Sequence, residues 1–477
     1  MNNFAKIGLL VLVGAALVLV GCGSDSTTNV DDNGVVVGDV LTGGFVVTVD
    51  DTAGGYIATR AFDGDDDGAM DGAEDEYQAF IIGEFSQDLT LDRTVFDADG
   101  RPAADADNVA FYLGGAVYIG DNEGLDITLT IPAGTLIKGE VSSTNPGLLV
   151  ITRGAKIDAQ GTAANPIVMT SARDAGSRAP GDWGGLVING YAPVQGGTAE
   201  GEGSTGTYGG DDADDDSGVL EYIVLQFAGT LFTPDNELNG IAFQGVGSGT
   251  EVDYIQIHKN ADDGVEFFGG SVAAKHLVLT GIQDDGLDYD DGWTGSAQFV
   301  VIHQYGDGGN AIEADGDAED GIAPADPILA NFTIIGATGD NGPNFKSAAE
   351  GELWNSIIVN YPTGTVALAE ATDDQPTIAY AGVGISSVDA ISGAVDWAAA
   401  VGSTGNFYSA TESDIVTGLD YSITAPDYVP ATLGGATAQT LPTADKAGNA
   451  ITATDYLGAI NVGGTDWTSG WTAYPEN

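Results

Sequence analysis

Cysteine is nearly missing from this sequence: one residue, Cys22, in 477. No disulfide can form within the chain, so the fold must rest on its core and on any ion it holds. Basic residues are almost as scarce, with 13 Lys and Arg against 71 Asp and Glu and a net charge of −58. Such a surface repels phosphate backbones and anionic headgroups, and no basic stripe with interleaved aromatics relieves it. Nucleic-acid binding is thereby excluded. What is present is 43% hydrophobic residues and 72 glycines, enough to bury a core, so the acidity is not the signature of a disordered chain. Cation binding and solubility in a salty medium both account for the charge, and composition leaves the two open.

The longest feature near the start is apolar, residues 7–20, preceded by Lys6. It is too short to span a bilayer comfortably and reads as the apolar part of a signal peptide. Leu19, Val20, Gly21 and Cys22 resemble the bacterial lipobox, in which the cysteine becomes the lipidated first residue. That resemblance implies a signal peptide over 1–21, a lipid at Cys22 and membrane attachment through it. Gly23, in place of an aspartate, implies the outer membrane. Residues 22–45 are polar and glycine-rich and read as a flexible tether. Residues 46–107 carry strand-like pieces between acidic turns, a small N-terminal β region.

From residue 108 the sequence repeats. Segments 254–268, 276–290, 299–313 and 332–346 align at offsets of 22, 23 and 33 residues. Asp262, Asp284, Asp307 and Asp340 then coincide, as do Gly264, Gly286, Gly309 and Gly342. Each copy is a β-rich run, an Asp/Asn-Gly turn and a short second strand, without helical periodicity. One copy cannot bury its apolar face alone, so copies must stack. Alternation places Ile255, Leu277, Val300 and Thr333 in one inward column and Ile257, Leu279, Ile302 and Ile335 in the next, the pattern of a parallel β-solenoid. The repeat fades after residue 365, and 366–477 reads as a C-terminal cap over an otherwise open end.

The runs 129–139, 149–161, 181–190, 208–218 and 262–270, with the closing Asp466-Trp-Thr-Ser-Gly-Trp-Thr472, resemble a family of exported bacterial right-handed parallel β-helix proteins, often lipoproteins. The resemblance covers roughly 108–365 and the C-terminal tail. It implies an all-β, right-handed parallel β-helix and export, and carries over no catalytic residue.

The sharpest motif is the acidic loop of residues 63–74. Asp63, Asp65, Asp67, Asp71 and Glu74 fall at positions 1, 3, 5, 9 and 12, with Gly68 at position 6. This is the oxygen-ligand spacing of an EF-hand-type calcium loop, here between strand-like flanks. Stacking of coils adds a second candidate. Asp262 and Asp263 fall beside Asp284 and Asp285, and Glu266 beside Asp288 with Asp290 near. Calcium between coils would reverse their mutual repulsion, and hydrogen bonds within their own turns are an equal alternative for such aspartates. His258 and His303 share an outward column about 10 Å apart, suited to lining a groove rather than chelating one ion. His276 continues a column of aromatics.

These readings describe a calcium-stabilised cell-surface lipoprotein that acts as a binding, adhesion or scaffolding module, for a polysaccharide or another surface protein. The alternative is a polysaccharide lyase or hydrolase with a groove along the helix. Lysines that could neutralise a uronate and take its proton, Lys259, Lys275 and Lys346, share no column.

Overall fold

The computed structural model describes residues 40–41, 45–51, 53–62, 76–91, 109–231, 237–306, 308–316, 324–337, 341–361, 366–367, 377–387, 391–392 and 405–477. Cys22 and the loop of Asp63, Asp65, Asp67, Asp71 and Glu74 lie outside the described residues. So do Asp307 and Asp340.

Long strands Gly218–Gln226, Glu251–His258, Ala273–Thr280, Ser296–His303 and Ile328–Ile335 pair in parallel, each on the one before. Short strands Leu186–Asn189, Ile241–Gln244, Val265–Phe268 and Leu287–Asp290 stack alongside in the same sense. A coil is thus one long strand bent at a corner, a turn and one short strand, repeated as a right-handed parallel β-helix. At the N-terminal end the antiparallel run Phe45–Asp50, Tyr56–Phe62 and Glu76–Phe85 feeds straight into the helix, because Glu76–Phe85 pairs in parallel with Val109–Ile119.

The interior is a set of apolar columns one strand spacing apart. Ile223, Ile255, Leu277, Val300 and Phe332 form one, and Leu225, Ile257, Leu279, Ile302 and Ile334 the next. All are buried, and each such side chain contributes about 1.5–3 kcal/mol. The last coil departs from the sequence expectation by one residue. Phe332, not Thr333, continues the Val300 column, and Ile334, not Ile335, continues that of Ile302. Thr333 faces outward, where its Oγ1 accepts a hydrogen bond from the Ala459 amide at 2.9 Å.

The corner explains the shift. Strand pairing skips Tyr222, Tyr254, His276, Phe299 and Asn331, and their φ values are 49°, 54°, 51°, 62° and 56°. A left-handed residue turns the strand from one face to the next, at a cost of about 1–2 kcal/mol for a residue with a Cβ. Stacking offsets that cost. Tyr222 lies on Tyr254 and Tyr254 on His276 at 4.3 Å, and His276 lies on Phe299 at 4.9 Å, contacts of about 0.5–1.5 kcal/mol each. The fifth corner belongs to Asn331, a residue that tolerates this conformation, so the aromatic column ends at Phe299 and Phe332 turns inward.

The C-terminal region adds a strand at the far end, Phe407–Ser409 on Gly384–Ser387, and then runs back along one flank. Amide side chains clamp it there as a neighbouring strand would. Asn355 exchanges two hydrogen bonds with the backbone of Gln439 (2.7 and 2.9 Å), Gln298 two with Thr452 (2.7 and 2.9 Å) and Gln256 two with Ala473 (2.8 and 2.9 Å). Trp471 meets the edges of Tyr222 and Tyr254, and Trp467 those of Tyr254 and His276.

Candidate metal centre

The returning segment removes the histidines from solvent. His258 is 0% exposed, with Nδ1 2.8 Å from Thr280 Oγ1 and Nε2 donating to the Pro475 carbonyl at 2.9 Å. His303 is also buried, with Nδ1 3.2 Å from the Tyr428 hydroxyl. The expectation that His258 and His303 line a groove is therefore corrected. They do point off the barrel, but the C-terminal segment covers that face, a long-range contact that strand alternation does not report. Burial pushes both imidazoles down to about 4, so they are neutral packing groups near neutral pH.

Carboxylates gather on another face, along the short strands and the turns before them. The register places Glu266 beside Asp288, as the repeats imply. In the preceding turns the Asp285 amide donates to Asp263 Oδ1 at 3.0 Å, and Asp263, Asp284 and Asp285 bring one oxygen each within 4.8 Å of one another. Asp262 belongs to a neighbouring group with Glu237 and Asp284. The five aspartates singled out in the sequence thus lie in one continuous ladder.

Three members escaped sequence reasoning. Glu313 joins Asp285 and Asp288, all within 4.8 Å, because Leu287 bridges to Ile312. The offset at this point is 25 residues rather than 23, so the neighbour of Gly286 is Ala311 instead of the expected Gly309. The other two are Glu237 and Glu202. Glu202 comes from the segment 191–215, which folds over the short strands through the antiparallel pair Ala199–Glu200 and Thr207–Tyr208. Asn189 Nδ2 donates to the Thr205 carbonyl at 2.9 Å, and the Tyr208 hydroxyl to Asp291 at 2.7 Å, which hold that roof in place. Only the closeness of Glu202 to Glu266, Asp262 and Glu237 reveals its membership. No local pattern marks it.

Asp262, Asp263, Glu266 and Asp285 are each 9% exposed or less. Burial, then the charges of Glu266, Asp288, Asp262 and Asp285, hold the Asp263 carboxyl well above the usual range. Glu266 and Asp288 are raised for the same two reasons. Asp262 is pushed up to about 8, Asp285 to about 7 and Glu202 to about 7, burial being the first cause in each. One cationic side chain among the described residues enters the ladder. Lys346 Nζ lies 2.7 Å from Glu313 and 3.9 Å from Asp315. Hard oxygen donors crowded in this way suit Ca²⁺, which takes six to eight oxygens, better than Zn²⁺, which prefers nitrogen and sulfur.

A family model described as a pectate-lyase-like beta helix domain matches residues 105–472. No curated protein and no solved structure matches the chain.

Proposed function

The chain belongs to the family of pectate-lyase-like beta helix domains, and from that premise we propose that it is a calcium-stabilised binding module outside the cytoplasm. The surface of its helix engages polysaccharide or another surface protein, and the ladder holds the cation. The observation that carries this reading is the group Asp263, Glu266 and Asp288, three carboxylates within 4.8 Å whose first two are almost fully buried. Ionised together in a low-dielectric site they repel strongly, and a bound divalent ion turns that repulsion into attraction. Attachment to an outer membrane through a lipid on Cys22, and a further calcium ion in the loop of residues 63–74, complete the proposal.

Thermal unfolding in chelator, followed by a calcium titration with magnesium and sodium chloride as controls, tests it. A calcium-specific rise in midpoint is expected. An equal rise in sodium chloride would reduce the acidity to a solubility device.

The family description and the position of Lys346 beside Glu313 favour a second reading, a polysaccharide lyase or hydrolase. Incubation with polyuronates and neutral glycans separates the two: binding without new reducing ends or unsaturated products is expected, and either product would replace the binding reading with an enzymatic one.

A further inference from the structure

We propose that the ladder holds a row of two divalent cations that share Asp288, an inference that rests on the calcium reading above and deepens it. One ion lies among Asp263, Glu266 and Asp288, the other among Asp285, Asp288 and Glu313. Each set brings its carboxylate oxygens within 4.8 Å.

An acidic cluster alone would not carry this. The independent observation is a pair of orphaned amide oxygens, one at each set. Asn239 is 2% exposed, and its Nδ2 donates to Glu266 Oε2, which places the amide against the first set. Its Oδ1 is buried with no hydrogen-bond partner among the described residues. Asn344, a half-buried residue, stands beside Glu313 in the strand register, and its Oδ1 atom is shielded from solvent and unpartnered among those residues. A buried amide oxygen without a donor is costly, and a hard cation is a partner that suits it.

Two ions rather than one follow from the geometry, since each set has its own orphaned amide oxygen and the sets share one carboxylate, Asp288. Together they hold five carboxylates, with Asp262, Asp284 and Glu237 grouped beside them, against one ammonium, Lys346, 2.7 Å from Glu313. A single divalent ion would leave most of that charge uncompensated. The sets sit on successive coils, so the ions should stand about one strand spacing, roughly 4.8 Å, apart.

Calcium bound per chain, measured by equilibrium dialysis on the full chain and its variants, tests the row. Asp288→Asn is expected to lose two ions relative to the unaltered protein, and Glu313→Gln one. Asn239→Leu should weaken one ion about tenfold and leave the other unchanged. Anomalous scattering from crystals of the unaltered protein grown with calcium supplies a measurement that no variant's folding can confound, with two peaks on the ladder expected. One peak, or loss of the same single ion in both carboxylate variants, would overturn the row and leave the calcium reading intact. No peak on the ladder would overturn both.

Discussion

The two flanks of the same coils are covered in different ways. On one, the C-terminal segment closes over neutral groups, and their polar atoms are matched: both nitrogens of His258 have partners, and the amides of Gln256, Gln298 and Asn355 each grip a backbone unit. On the other, the 191–215 segment folds over a ladder of carboxylates crowded within 4.8 Å of one another in overlapping groups, with orphaned amide oxygens at Asn239 and Asn344. Burial is similar, but satisfaction is not. A satisfied buried network is architecture, while a crowded set of one charge sign, short of positive charge, is a place where a ligand of opposite sign completes the structure.

Chelation should sharpen that contrast most. At calcium a thousandfold above Kd each ion contributes about 4 kcal/mol, so removing a row of two should cost roughly twice that. Hydrogen exchange should rise along the short strands and the roof, while the strapped flank stays protected. Equal loosening of both flanks would break the contrast.

Trp471→Ala tests the other flank. Trp471 is 3% exposed and packs on Tyr222 and Tyr254, so its removal should cost about 3–5 kcal/mol. Urea unfolding would read the loss, and calcium affinity at the ladder should not change.

The flanks also respond to acid with opposite sign. His258 and His303 have folded values near 4 against an ordinary value of 6.5. The unfolded chain therefore takes up protons first, and their contribution, present above about pH 6.5, is lost as pH falls toward 4, about 1–3 kcal/mol for each. Asp262, Asp285 and Glu202 are raised to about 8, 7 and 7 from ordinary values of 3.8, 3.8 and 4.5. There the folded chain takes up protons first, so in chelator stability falls as pH rises from about 4 to about 8. In chelator the midpoint should thus rise when pH is lowered from 8 to 6.5, and in calcium that rise should shrink, since a bound ion keeps Asp285 ionised and its charge favours the ionised forms of Asp262 and Glu202 nearby. Identical profiles in the two media would sink the assignment.

Much of the fold was legible because a stacked coil repeats its apolar pattern. Columns such as Ile255, Leu277 and Val300 follow from alternation alone, and so does the pairing of Glu266 with Asp288. Errors entered where spacing changed. Two extra residues before Ile312 hid Glu313 from its neighbour Asp288, and the Asn331 corner moved Phe332 inward. Glu202 was hidden for another reason, since its position depends on how the 191–215 segment folds back.

The sequence by itself determined a solenoid of stacked coils, its acidic turns and, where the spacing holds, the direction in which its strand residues point, because these follow from local periodicity repeated at near-constant spacing. Tertiary structure decided which of those outward groups meet water. Segments distant in the chain, residues 191–215 on one side and 405–477 on the other, lie over the two flanks. Their placement is set by contacts between residues up to 217 positions apart, such as Gln256 with Ala473, and no local pattern encodes such contacts. One fold-back silences His258 and His303, and on another face Asp262, Asp263 and Asp285 of the ladder are buried.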